Sequence, residues 1–406
     1  MDQLKYAQHE MLCTELRIME LKGNKIYPNQ EHIAQTVSDK FATGEVVATM
    51  VVARTQSGKT GSMCAVIREL TNPLFPNPSN LDNVFVITGL SSIEWKTQTT
   101  ERLPSAIKHN VIHANDLHVI ADKIKNKRDV LIIMDEVHIA ASKTQRVHKL
   151  FNAAKLNDPI YMQHHNIRIV QYSATPNKTI FDLQTWGDRS NIHIADPGDN
   201  YVGPLQLIQQ NRIRQFSGEL GKSEQANQEF IHAVGSFNSP RYHFVRINVR
   251  QSTITYKQEL YELFKSTEIN VQILSYQGSN SDITDINKVL MQQPKIHTII
   301  LLKNMLRCAK TIHKIYIGVI YDRPVINTCD DVIIQGLTGR NTGYDTNNDS
   351  ICFTELKSIY RYETLWDEIK NNNISIQTTS WKTNNITKDT FNIIDNDIDN
   401  DNDIIV

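Results

Sequence analysis

The residues whose types and spacing suit chemistry begin with Ala53-Arg-Thr-Gln-Ser-Gly-Lys-Thr60, a phosphate-loop pattern with alanine in place of its first glycine. It follows the strand-like TMVVA and precedes the helix-like GSMCAVIREL. In that setting the backbone N–H groups around Thr55, Gln56, Ser57 and Gly58 cradle phosphates at a helix N-terminus. Lys59 reaches the β- and γ-phosphates of ATP, and the Thr60 hydroxyl holds magnesium. About 75 residues later the apolar run VLIIMDEVH ends on Asp135 and Glu136. Asp135 would hold Mg2+ through its water shell, while Glu136 orients and deprotonates an attacking water. An acid pair ending a strand is otherwise an ordinary cap; its pairing with the loop is what gives it meaning. A third group, Ser173-Ala-Thr-Pro176, places short hydroxyls where they can bond a neighbouring carboxylate, the alternative being a plain turn before proline.

Elements that could hold these groups are visible along the chain. VVATMVVA, NVFVITG (83–89), DVLIIMDE (129–136) and IRIVQYSAT (167–175) are β-branched runs separated by helix-length segments, the pattern of strands buried on both faces of a parallel sheet. The rhythm resumes with RYHFVRINV (241–249), VQILSY (271–276), HTIILL (297–302), KIYIGVIY (314–321) and DVIIQG (331–336), which predicts a second parallel α/β domain. Leu12, Leu16, Ile18, Met19 and Leu21 predict a packing helix that stops at Gly23 and Asn24. The expected organisation is a helical segment at 1–24, an ATP-binding α/β domain at 25–195, a linker with some helix in it at 196–240 and a second α/β domain at 241–375. A disordered Asn/Asp-rich tail at 376–406 completes it.

With 406 residues, 40% hydrophobic and 21% charged, the composition is that of an ordinary water-soluble protein, and no apolar run approaches the roughly 20 residues of a membrane span. The start of the chain lacks the features of a secretory signal, so a reducing intracellular compartment is expected. Cys13, Cys64, Cys308, Cys329 and Cys352 are scattered, which disfavours a zinc site and fits buried free thiols. The net charge is -1, but the last sixteen residues hold five Asp and no Lys or Arg, leaving +4 on the preceding 390. That balance permits phosphate contacts without demanding them.

The four motifs ARTQSGKT, DEVH, SATP and QGLTGR occur in the order and at the approximate intervals of helicase superfamily 2, which the chain resembles over about residues 25–345. HFVRINV, KNMLRCAKT and QGLTGRNTGY are similar to helicase-like proteins of large DNA viruses and phages. The resemblance implies two tandem RecA-like P-loop domains with ATP and Mg2+ between them. It also implies backbone contacts to nucleic acid, DNA ahead of RNA, with protein partners for loading. For a viral protein the host-cell cytoplasm, a replication site or the virion would be its location.

Carried over residue by residue, the resemblance places Gln30 of KIYPNQEHIA on the adenine, although a glutamine capping the next helix reads equally well. Thr88, Gly89, Trp95 and Lys96 fall where the group touches nucleic acid; Trp95 as a core residue is the alternative. Lys303, Arg307 and Lys310 are the matching cations of the second domain. Arg340 would stabilise the transferring phosphate, and Gln335 would sense the γ-phosphate or water. Three departures stand out. Gly343 replaces a common second arginine, Gln335 lies one residue further from Arg340 than usual, and the 301–312 segment lacks the group's Gly-x-Asp. The activity implied is an ATP-dependent helicase or translocase. The alternatives are a duplex translocase that does not unwind and a helicase-fold binding module with weak turnover.

Overall fold

Runs such as VLIIMD and VFVIT have no polar alternation, so they can be stable only where both faces of a sheet are covered. A computed structural model of the chain builds two such sheets, one in each of two compact units, Met1–Asp199 and Asn200–Val406. The structure describes residues 3–88, 93–135, 146–175, 183, 185–306, 311–325, 330–344 and 349–371.

The strands of the first unit are β1 (Ala48–Ala53), β2 (Val84–Thr88), β3 (Val111–Ile112), β4 (Val130–Asp135), β5 (Ile167–Ser173) and β6 (Ser190–Ala195). They form one parallel sheet in the order β3-β2-β4-β5-β1-β6. Every residue of β1, β2, β4 and β5 is buried. Parallel direction brings all the carboxyl ends to one edge, where Thr88 pairs with Asp135, Asp135 with Tyr172, and Val52 with Ser173. Ligands bind outside that edge in open α/β sheets. Arg168 brings a buried guanidinium into β5: it donates to the carbonyls of Asn77 and Pro76 and lies over the Phe75 ring. Burial pushes its pKa down to about 10.

The second sheet contains β7 (Ile213–Gln215), β8 (Tyr242–Arg246), β9 (Val271–Tyr276), β10 (His297–Leu302), β11 (Ile317–Tyr321) and β12 (Ile351–Thr354), all parallel, in the order β7-β12-β11-β8-β10-β9. Two expectations change here. DVIIQG is not a strand; Asp330–Gln335 is a helix with Ile333 and Ile334 buried and Val332 exposed. A short apolar run does not separate the two periods, and Asp330 and Asp331 in the first turn favour a helix through its dipole. The stretch 196–240, expected as a linker with some helix in it, also contributes a strand. It supplies β7 at the sheet edge and the helix Glu224–Gly235, whose Phe230 packs edge-on to Phe264 and Tyr321. Its many Gln and Asn residues conceal an amphipathic helix with Ala226, Phe230, Ala233 and Val234 inward. The tail at 376–406 lies outside the described residues.

Cys64 and Cys352 are buried free thiols, as expected, and burial pushes both up to about 12. Cys308 and Cys329 lie outside the described residues. No described helix is long and apolar enough to cross a membrane.

Candidate active site

The loop after β1 turns into the helix Lys59–Thr71 through two left-handed residues, Gln56 (φ 57°) and Gly58 (φ 89°). Left-handed backbone suits glycine at position 58, and space requires it too: a Cβ there would stand 2.4 Å from Gln30 Nε2. The loop is braced from within, since Ser57 N–H and Oγ both donate to the Arg54 carbonyl, the hydroxyl at 2.6 Å. Its first helical residues are Lys59 and Thr60, so the loop ends at a helix N-terminus, whose dipole favours an anion.

Gln30 braces the loop from outside. Its Oε1 accepts from the Tyr27 N–H at 2.9 Å, and its Nε2 donates to the Gly58 carbonyl at 3.0 Å. The first bond is the capping role that the sequence left open. The second ties the helix Pro28–Ala42 to the phosphate loop. An adenine contact would therefore use the remaining N–H and lone pair of this amide. Beside the loop is a small pocket lined by Asn29, Ile33, Ser57, Lys59, Tyr172 and Asp196.

Across the edge, β4 delivers Asp135 to the helix start. Its Oδ1 is 3.9 Å from Lys59 Nζ, and its Oδ2 accepts from the Trp95 indole N–H at 3.0 Å. Asp135 is 8% exposed and Trp95 4%. Trp95 is thus buried, in line with the core alternative, and its indole N–H holds the Asp135 carboxylate. Thr88 is fully buried at the end of β2, next to Asp135 in register. Lys96 does lie at the surface, 3.4 Å from Asp116. Gly89 and Glu136 lie outside the described residues.

On β5, the Ser173 hydroxyl accepts from the Thr175 N–H at 3.1 Å, which folds the Ser-Ala-Thr segment into a tight turn against the sheet edge. The preceding Tyr172 shares a hydrogen bond of 2.9 Å with Ser62 of the loop helix, and burial raises its phenol well above the ordinary range. Tyr172 and Ser62 were not singled out in the sequence. A tyrosine on an apolar strand and a serine on a helix carry no pattern that pairs them across 110 residues.

The donor set suits a magnesium nucleotide. Among the described residues no group of three or more His, Cys, Asp or Glu could hold a metal ion. Thr60 and Asp135 would leave most of the coordination shell to phosphate oxygens and water, the arrangement Mg2+ favours.

In the second unit, the QGLTGR segment runs from Gln335 through the turn Thr338–Asn341. The Thr338 hydroxyl donates to Thr354 at 3.0 Å, and Lys314 Nζ donates to the Thr342 carbonyl at 2.6 Å. Arg340 is 1% exposed, with its Nη2 3.5 Å from the Leu306 carbonyl. Gln335 is also buried. Lys303 donates to the Gln251 carbonyl at 3.1 Å, a loop-fixing contact rather than a free cation. Arg307 and Lys310 lie outside the described residues. An unanticipated arginine, Arg246 at the carboxyl end of β8, sits 3.4 Å from buried Asp322 and against Gly336, where a Cβ would meet its Nη2 at 2.6 Å. The only sequence signal for it was its place in HFVRINV.

No family model matches the chain. The uncharacterized protein L594 of Acanthamoeba polyphaga mimivirus is 26% identical over 340 residues, which cover 78% of this chain and 81% of that protein. The solved structure of Mss116p bound to ssRNA and AMP-PNP matches with a TM-score of 0.52 at 12% identity, over 92% of this chain and 80% of that one. A Dbp5 variant of S. cerevisiae bound to RNA and ADP BeF3 gives 0.47 at 12% identity, over 87% and 98% respectively. At 12% identity the likeness to Mss116p shows the fold, two tandem RecA-like α/β units each built on a six-stranded parallel sheet.

Proposed function

We propose that the chain is an ATP-dependent nucleic-acid helicase or translocase that hydrolyses ATP at the loop 53–60 of its first unit. The observation that supports this best is the convergence of Lys59 and Asp135 at 3.9 Å beside a left-handed Gly58, at the carboxyl edge of a parallel sheet. Loop and helix N–H groups bind the phosphates, Lys59 draws charge from the β- and γ-phosphates, and Thr60 with Asp135 holds magnesium. Magnesium, when bound, neutralises charge that develops on the phosphates. Trp95 keeps the Asp135 carboxylate from rotating, and Gln30 keeps the loop from collapsing onto its helix. Glu136 is assigned the proton of the attacking water, Arg340 the charge on the transferring phosphate and Gln335 its sensing, all three on the motif resemblance.

Phosphate release measured with single-stranded DNA, duplex DNA, RNA and no polymer tests the proposal. RNA is a full arm because the matching Mss116p structure holds ssRNA, and DNA because of the likeness to viral proteins. Stimulation by at least one polymer, lost in Lys59→Ala, is expected. Hydrolysis indifferent to every polymer overturns the nucleic-acid half of the reading, and no hydrolysis under any condition overturns the ATPase half. Strand displacement on forked substrates separates unwinding from translocation alone.

A further inference from the structure

The helix Gln3–Leu21 carries two apolar stripes where an ordinary surface helix has one. Leu12, fully buried, and the partly buried Leu16 and Met19 form the inner stripe. On the same side Lys5 pairs with Asp129 at 2.8 Å, Gln8 with Asp82 at 2.8 Å, and Glu15 with Ser105. The outer stripe consists of Leu4, Met11, Ile18 and Leu21, exposed by 61%, 48%, 46% and 88%. Ala7 and Thr14, also exposed, complete it. Positions 4, 7, 11, 14, 18 and 21 alternate steps of three and four, the spacing of a coiled-coil seam.

We propose that this seam is a self-association surface on which the same helix of a second copy of the chain lies antiparallel. Side-chain volume favours that direction. Setting Met11 opposite Thr14 of the copy puts Ala7 against Ile18 and Leu4 against Leu21, small against large in the middle layers. A parallel pair in register sets Ala7 on Ala7 and Thr14 on Thr14, which leaves gaps. Charge favours it independently. The exposed flank of the seam carries Glu10 and Arg17. An antiparallel pair faces Glu10 with the Arg17 of the copy twice, by two-fold symmetry. A parallel pair brings Glu10 near Glu15 and Arg17 near Lys22, like against like. One helix of 19 residues makes an interface at the small end of the specific range, so the dimer is weak and concentration-dependent.

Sedimentation equilibrium of the full chain tests this. A monomer–dimer equilibrium with a Kd on the order of micromolar is expected. Ile18→Asp weakens it by roughly a hundredfold at an unchanged melting temperature, because Ile18 is on the outer stripe. Glu10→Arg alone weakens it by roughly tenfold, and Glu10→Arg combined with Arg17→Glu restores it. A chain that stays monomeric to about 100 µM overturns the proposal and leaves the seam to a different protein. So does a dimer indifferent to Ile18→Asp. A dimer tightened by Glu10→Arg overturns the antiparallel arrangement.

Discussion

Replacing Trp95 by phenylalanine removes the indole N–H and two ring carbons, so a small cavity adds to the lost hydrogen bond. In the native chain that N–H donates to Asp135 Oδ2 at 3.0 Å, both residues being buried, while Oδ1 lies 3.9 Å from Lys59 Nζ. A hydrogen bond to a buried charged group contributes about 1.5–3 kcal/mol. Loss of that contribution in a unit of this size lowers the melting temperature by roughly 3–12 °C. The second consequence is specific to the site. With Oδ2 released, the carboxylate turns about its Cβ–Cγ bond, and the outer partner that held a metal-binding oxygen is gone. Magnesium half-saturation of phosphate release should then rise by about tenfold or more. Nucleotide binding in EDTA, read with a fluorescent ATP analogue, should move by less than roughly twofold, since Gln30 and the loop are untouched. Magnesium titration beside EDTA binding separates positioning from general damage. If both affinities fall in parallel, Trp95 is only a core residue. If neither changes, the bond to Asp135 does not orient the carboxylate.

Four further outcomes are expected. Lys59→Ala should reduce phosphate release by at least about a hundredfold with the fold intact by circular dichroism. Gly58→Ala adds about 1–2 kcal/mol of left-handed strain to a clash with Gln30 Nε2, and thermal melts should show Gln30→Ala recovering only the clash. Arg361→Met removes the cation bonded to the fully buried Asp330 at 2.7 and 2.5 Å, so urea unfolding should show the second unit weakened by about 3–5 kcal/mol.

The fourth concerns pH. His243 Nδ1 accepts from the Val319 N–H at 3.0 Å, which leaves Nε2–H to donate to His297 Nδ1 at 2.9 Å. Burial holds His243 well below its ordinary pKa, with His297 and Arg241 adding to the effect, and burial also lowers His297. A base whose folded pKa is depressed gives stability that is complete above the unfolded value near 6.5 and is lost as pH falls below it, because the unfolded chain binds the extra proton. Urea unfolding between pH 8 and pH 5 should show stability falling by up to about 1.4 kcal/mol per pH unit per histidine. His297→Gln, which keeps an acceptor for His243, should flatten that slope. An unchanged slope would acquit the pair.

The sequence by itself determined the order of the strands' apolar runs, the phosphate loop and the acid at 135, because buried parallel strands and phosphate cradles impose local patterns that a linear reading detects. The edge strand Ile213–Gln215 and the short run at 331–336 defeated that reading, because brief runs are ambiguous without the sheet they pack on. Tertiary structure alone decided what each polar side chain touches. Trp95 became a ligand of Asp135 across 40 residues, and Thr88 was buried by strand register. Gln30 went to the loop backbone, and Arg246 appeared at the edge of the second sheet. Such contacts depend on which chain segments the sheet order brings side by side, and spacing along the sequence carries no record of that.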